Sequence, residues 1–351
     1  MGGDHAPRMV VEGLEIAAER HPGARFLLVG DEAQLTPLLA SHRRAAAACT
    51  IRHAPEVIGN DMKPTAALRV RNSSMRVAID AVAGGEASGI VSAGNTGALL
   101  AIGKIIIKTL QGIDRPAMAA IGPSARGDVV LLDLGANVQC DARNLVEFAV
   151  MGDVFARTVL GLTAPSIGLL NVGSEELKGD DTLRLAAETL RASHIAPQFV
   201  GFVEGHDIAA GTTDVVVTDG FTGNVALKTG EGALKLIGDL LRQVFRSSLT
   251  AKVAYLLLRP SLDRLREWLD PRRYNGAVML GLNGVMVKSH GGTDAEGFAH
   301  ATDVAMDMVV HRFNDHIRED LARIAGLSAL QARNAAADKP NGTAPRLATA
   351  P

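Results

Sequence analysis

One unit recurs along this chain: a short, wholly apolar run, a glycine-rich polar loop, then an amphipathic stretch. Phe26–Val29 runs into Gly30-Asp31, Gly89–Val91 into Ser92-Ala93-Gly94-Asn95-Thr96-Gly97, and Val129–Leu134 into Gly135-Ala136-Asn137. Ile167–Leu170 leads into Asn171–Glu176, Val215–Thr218 into Asp219-Gly220, and Val285–Val287 into Lys288-Ser289-His290-Gly291-Gly292. Strands that are apolar throughout and alternate with helices are buried on both faces, so the pattern predicts an α/β protein with a mostly parallel sheet covered on both sides. Ligands of such sheets bind outside the carboxyl ends of the strands, and the polar loops are expected to converge on one crevice.

Composition narrows the functional classes. Hydrophobic residues make up 47% of the 351 and aromatics only 3%, with 37 glycines, which describes an aliphatic interior with many tight turns, as in soluble enzymes. A formal charge of −2 gives no nucleic-acid signal. Two cysteines, Cys49 and Cys140, make no disulfide framework, and a reducing cytoplasm is the expected compartment. Apolar runs such as Val253–Leu258 are too short to span a bilayer.

Residues 1–333 read as a single α/β domain interrupted by a helical excursion over 232–273. There Gly232–Leu258 is expected to form a long helix stopped by Pro260, after which Leu262, Leu265, Trp268 and Leu269 share one face. Residues 334–351 are expected to form a disordered tail.

The loops carry the candidate chemistry. At a strand-to-helix turn, the small residues of Ser92–Gly97 leave backbone N–H groups free for a phosphate at the positive end of a helix, with Asn95 and Thr96 as side-chain donors; a tight turn made only for close packing gives the same sequence. The loop has neither the Gly-Lys-Ser/Thr of a Walker A motif nor a G-x-G-x-x-G fingerprint, so no nucleotide is implied. Asp219-Gly-Phe-Thr-Gly-Asn224 is a second such loop, which taken alone reads first as a helix cap and turn. Lys288 and His290 set a cation and an imidazole at one strand end, for anion binding or acid–base work. Lys178 beside Gly179 stands in a charge run, Arg115 is a possible phosphate contact, and Cys140 reads as an idle thiol. Glu204-Gly-His206-Asp207 lacks the second spaced ligand pair of a metal site, and no metal is assigned. Met1-Gly-Gly-Asp4-His5-Ala-Pro7 presents a carboxylate and an imidazole on a tight loop.

Together these loops resemble the bacterial phosphate acyltransferases of the PlsX family. The resemblance rests on Met1–Pro7, Val91–Ala98, Gly112-Ile-Asp-Arg-Pro-Ala117, Leu131–Asn137, Gly168–Gly173, Val203-Glu-Gly205, Asp219–Lys228 and Gly284–Gly291, in order over nearly all of residues 1–330. It implies a three-layer α/β/α, Rossmann-like fold of the isocitrate/isopropylmalate dehydrogenase type with a protruding helical hairpin, a homodimer, and no cofactor. It implies transfer of a long acyl chain from acyl carrier protein to inorganic phosphate, feeding glycerol-3-phosphate acylation in phospholipid synthesis. The reaction needs an anion cradle, donors for a tetrahedral oxyanion and alignment of two reactants, but no nucleophilic triad.

On this reading Ser92, Gly94, Asn95, Thr96, Gly97, Arg115 and Lys288 bind phosphate. Asp4, His5, Lys178, Asp219, Asn224 and His290 carry or orient the catalysis. The 232–273 excursion interleaves Arg242, Arg246, Lys252, Arg259, Arg264 and Arg266 with Val253, Leu256, Leu257 and Trp268, and so suits the inner face of the cell membrane, acidic acyl carrier protein, or simply the dimer partner. A glycerol-3-phosphate acyltransferase is the further partner that the resemblance implies. Alternatives are a phosphotransacetylase-like enzyme acting on short acyl-CoA, a decarboxylating dehydrogenase on the same fold, and a non-catalytic membrane scaffold. Members of the resembled family carry a short apolar strand ahead of the Gly-Gly-Asp-His loop, so Met1 is expected to be an internal start and a sheet position beside the loop to be unpaired.

Overall fold

The protein is described by a computed structural model, which covers residues 1–323 apart from 194, 196 and 197. The expected tail lies outside the described residues. Ten strands are described: β1 (Phe26–Gly30), β2 (Cys49–His53), β3 (Gly89–Ser92), β4 (Ala117–Ser124), β5 (Gly127–Leu132), β6 (Ile167–Leu170), β7 (Phe199–Val203), β8 (Val215–Val217), β9 (Ala277–Leu280) and β10 (Val285–Lys288). The helices are α1 (Arg8–Arg20), α2 (Glu32–Ala40), α3 (Arg43–Ala48), α4 (Pro64–Ala67), α5 (Ser74–Ala83), α6 (Thr96–Ile106), α7 (Ala142–Val159), α8 (Asp181–Arg191), α9 (Gly205–Ala210), α10 (Gly220–Arg246), α11 (Leu249–Trp268), α12 (Ala295–Val310) and α13 (Phe313–Arg323).

Eight strands form one mixed sheet in the order β3-β10-β9-β4-β5-β8-β6-β7. Its flanks are parallel, and both faces are covered, as the unbroken apolar strands require. Val130, Leu132, Val215, Val217, Val285 and Val287 turn to one face, where the almost wholly buried α7 packs with α8, α12 and α13. From the same strands Val129, Leu131 and Val216 turn to the other face, under Ile208 of α9 and Leu227 of α10. Ile90, Met279 and Met286 continue that face beneath α5 and α6.

The pairing in the middle corrects the expectation of a single crevice. β10–β9, β9–β4 and β4–β5 are all antiparallel, so β3 and β10 run opposite to β5, β8, β6 and β7. The carboxyl ends of the two parallel flanks therefore open on opposite edges of the sheet. Ser92 and Lys288 lie on one edge, while Asp133, Asn171 and Asp219 lie on the other.

β1 and β2 form a separate parallel pair. α1 and α3 pack beside this pair, and α1 is fastened to α12 by Arg20 and His21, both of which bond Asp303, at 2.6 and 2.7 Å. Between β1 and β3 lies a cavity of about 610 Å³, lined from one side by Phe26 and Leu28 and from the other by Ile90 and Val91. Among the described residues β1 and β3 share no backbone ladder. Met1 closes one end against Gly30, and Gly2 lies against Gly94.

The helical excursion also departs from expectation. The helix that begins at Gly220 ends at Arg246, and the break falls at Ser247-Ser248, where Ser248 caps α11 through the Ala251 amide at 3.0 Å. Pro260 lies inside α11; on an exposed helix the amide it lacks leaves only a solvated carbonyl. Gly220 and Gly223 are the buried residues of α10, and Leu236, Ile237, Leu240, Val253, Leu256 and Leu257 are exposed, which leaves a long apolar hairpin standing off the body.

Where α10 meets the sheet, the need for glycine is steric. A Cβ on Gly223 would stand 1.9 Å from the Asp133 carbonyl oxygen, whereas one on Gly238 in the same helix meets nothing within 4 Å. Gly223→Ala should therefore cost about 2–4 kcal/mol in urea unfolding. Gly238→Ala should be neutral or stabilise by up to about 1 kcal/mol. Equal midpoints for the two variants would contradict this packing.

Candidate active site

The edge that holds Ser92 and Lys288 assembles most of the predicted residues. β3 and β10 pair in register, with Ser92 opposite Lys288, so the loops that follow them leave side by side. Gly94 donates its amide to Ser92 Oγ at 3.2 Å, and Asn95 caps α6 by accepting the Ala98 amide at 3.0 Å. The Thr96 and Gly97 amides are then the first donors of a helix whose positive end faces the loop.

The N-terminal loop closes over this turn. Gly3 has φ +116° and a Cβ there would touch Ala93, so chain reversal and close approach both select glycine. The Asp4 amide donates to the Gly291 carbonyl at 2.8 Å, which joins the loop to the Lys288–Gly292 segment. Asp4 and His5 are exposed at this rim.

Lys288 is 9% exposed, and its Nζ donates to the Ser289 carbonyl. Burial pulls the ammonium down to about 8, and the Asp4 carboxylate opposes that shift from a distance. Among the described residues no carboxylate closes on it to ion-pair range. The result is a buried cation whose one hydrogen-bond partner among the described residues is the neighbouring Ser289 carbonyl. His290 Nδ1 accepts the Gly292 amide at 3.1 Å, so the proton of the neutral ring sits on Nε2 as a donor.

Two contributors escaped sequence reasoning. Asn275 accepts the His290 amide at 2.7 Å and donates to Ser289 Oγ and to the Gly297 carbonyl, fixing the loop that bears His290. Its signal was the Asn275-Gly276 dipeptide, a turn signature far from any catalytic motif. The Gly59–Met62 turn also reaches the site, where Asn60 Nδ2 lies 3.4 Å from Asp4 Oδ1.

Arg115, Lys178, Asp219 and Asn224 stand away from this cluster. Buried Asp133 accepts amides from Met118, Gly135, Ala136 and Asn137 and the Asn137 side chain, and so shapes the loop after β5. Burial raises its carboxyl against those bonds. Asp219 caps α10 through the Thr222 amide and hydroxyl, and Asn224 follows on that helix beside Gly135. Arg115 bonds Asp114 and the Gln139 carbonyl. Lys178 is exposed in the loop after β6. Burial pushes the Cys140 thiol up to about 12, far from the range of a nucleophilic thiolate.

The fold is similar to that of phosphotransacylases of known structure. Similar folds occur in a phosphotransacetylase from Streptococcus pyogenes (TM-score 0.56, 20% identity, 86% of this chain and 91% of that one) and a branched-chain phosphotransacylase from Enterococcus faecalis (TM-score 0.52, 16% identity, 88% and 96%). A family model described as "Fatty acid synthesis protein" matches residues 1–316. The phosphate acyltransferase of Granulibacter bethesdensis is 71% identical over 344 residues, spanning 98% of this chain and 93% of that one. That of Rhodospirillum centenum is 62% identical over 325 residues, 92% of each chain. The chain belongs to the phosphate acyltransferase family.

The buried ammonium has a measurable cost. Lys288 has a folded value of about 8 against 10.5 unfolded, so below pH 8 both states are charged and the full penalty of burying the cation is present. Between the two values the unfolded chain binds more protons, and stability rises with pH. Lys288→Met should raise the free energy of urea unfolding at pH 7, by on the order of 1–3 kcal/mol, with the gain shrinking toward pH 10. A lower midpoint at pH 7 would show that the charge is compensated.

Proposed function

We propose that this protein transfers a long acyl chain from the thioester of acyl carrier protein to inorganic phosphate, giving acyl phosphate and free carrier protein for glycerol-3-phosphate acylation. The observation that carries the reading is the buried Lys288 ammonium beside the amide-lined Ser92–Gly97 turn, a cradle for a small multivalent anion. The names of the relatives support phosphate as the acceptor.

Phosphate needs no activation beyond orientation. Its oxygen attacks the thioester carbonyl, the C–O bond forms as the C–S bond breaks, and the phosphate hydroxyl proton is the one gained overall by the departing thiolate. His290 Nε2–H stands at the rim to hand that proton on, with His5 and Asp4 orienting the exchange. Thr96, Gly97 and Lys288 balance the charge that builds on the oxyanion.

Arg115, Lys178, Asp219 and Asn224 mark the edge from which the α10–α11 hairpin rises, and we assign them to the acyl-donor side. The hairpin's exposed leucines among arginines suit a second copy of this chain and an anionic membrane face. Among the described residues no helix is long and apolar enough to cross a membrane.

Purified protein, palmitoyl carrier protein and phosphate should yield a hydroxylamine-trappable acyl phosphate, with acetyl-CoA a far poorer donor. No product, or a preference for acetyl-CoA, would overturn the assignment. The KM for phosphate should rise above pH 8 as Lys288 loses its proton, and should rise at every pH in Lys288→Ala. Leu257→Glu, at a side chain 76% exposed, should reduce liposome flotation while leaving thioester turnover in solution intact. Unchanged flotation would assign this part of the hairpin to the protein partner alone.

A further inference from the structure

The side chain of Asn95 is engaged on both sides, and neither partner is an anion. Its Oδ1 accepts the Ala98 amide. Its Nδ2 points at three backbone carbonyls, those of Gly59 at 3.1 Å, Asn60 at 2.9 Å and Met62 at 3.1 Å. A carboxamide nitrogen carries two hydrogens, so three acceptors already share them and none is left for a phosphate oxygen.

Those carbonyls belong to one turn. The Met62 amide closes it onto the Gly59 carbonyl at 3.2 Å, and Asn95 fills its centre. The turn bridges from β2 to α4, and the first residue of α4, Pro64, packs over Gly97. Asn60 extends from the turn toward Asp4.

Resting on the phosphate-cradle reading above, we infer that Asn95 is a positioning residue. It staples the Gly59–Met62 turn across the anion loop, and through Asn60 the turn orients the Asp4 carboxylate. Asn95 thus acts on the Asp4 side of the site rather than on phosphate itself.

Asn95→Asp and Asn95→Ser both keep a helix-capping oxygen but lose the paired donors, so α6 should stay capped while the turn is released. In hydrogen exchange of the full chain without substrate, the Met62 amide should exchange at least about tenfold faster in both variants, while the amides of β5 and β8 stay protected. In assays with acyl carrier protein thioester the loss should fall on kcat, with the KM for phosphate within about twofold of wild type. Asn60→Ala should leave Met62 protected and still lower kcat. Thr96→Ala should do the reverse, raising the KM for phosphate with no change in exchange at 59–62.

Unchanged Met62 exchange in the Asn95 variants, with a raised KM for phosphate, would make Asn95 a phosphate ligand and overturn the inference. So would a freed turn with undiminished kcat. If wild-type protein makes no acyl phosphate, the functional reading fails, while the exchange data still report on the staple.

Discussion

Three antiparallel ladders in the middle of the sheet decide where everything else can stand. Because β9, β4 and β5 alternate in direction, the parallel flanks β3–β10 and β5–β8–β6–β7 aim their carboxyl ends at opposite edges. A uniformly parallel sheet would have collected every glycine-rich loop at one edge. Here the loops divide into a pair that carries the buried cation and a group built around the buried Asp133 carboxylate. In the second group the Asp133 carboxylate is saturated by amides of its own loop and of Met118, whereas among the described residues no carboxylate pairs with Lys288 in the first.

Availability at the first edge has a physical origin. An ammonium held among apolar strands, with Asp4 near but not in contact, is a charge without its counter-ion. Burying that charge costs hydration that the Ser289 carbonyl alone does not replace. The loops that surround Lys288 are accordingly tied down by backbone contacts: Asn275 holds the His290 loop, and Gly291 holds Asp4. Precision comes from amides and carbonyls, which do not depend on pH.

Much of this was legible from residue order. Unbroken apolar runs announced strands buried on both faces, and the loop after β3 announced a strand-to-helix turn, because small residues and a cap-forming Asn leave a recognisable trace in sequence. The strand directions left none. An antiparallel β9 flanked by Gly276 and Gly281 looks, as a run of four apolar residues, like any parallel strand. Asn60 and Asn275 were missed for a related reason: each works from a turn remote in sequence, through bonds that only the packed fold creates. Pro260 misled in the opposite direction, since a helix exposed to water tolerates the amide it lacks.

The cavity between β1 and β3 gives the molecule a mechanical seam. No backbone ladder among the described residues ties the β1–β2 pair to the main sheet, so helix packing and the Arg20 and His21 contacts to Asp303 hold that unit in place. Such a unit can open as a cooperative block while the central ladders stay closed. The N-terminal loop crosses this seam, because the Asp4 amide donates to the Gly291 carbonyl in the segment after β10. That bond ties the start of the block to the loop after β10, so the placement of Asp4 depends on the local stability of the N-terminal quarter of the protein.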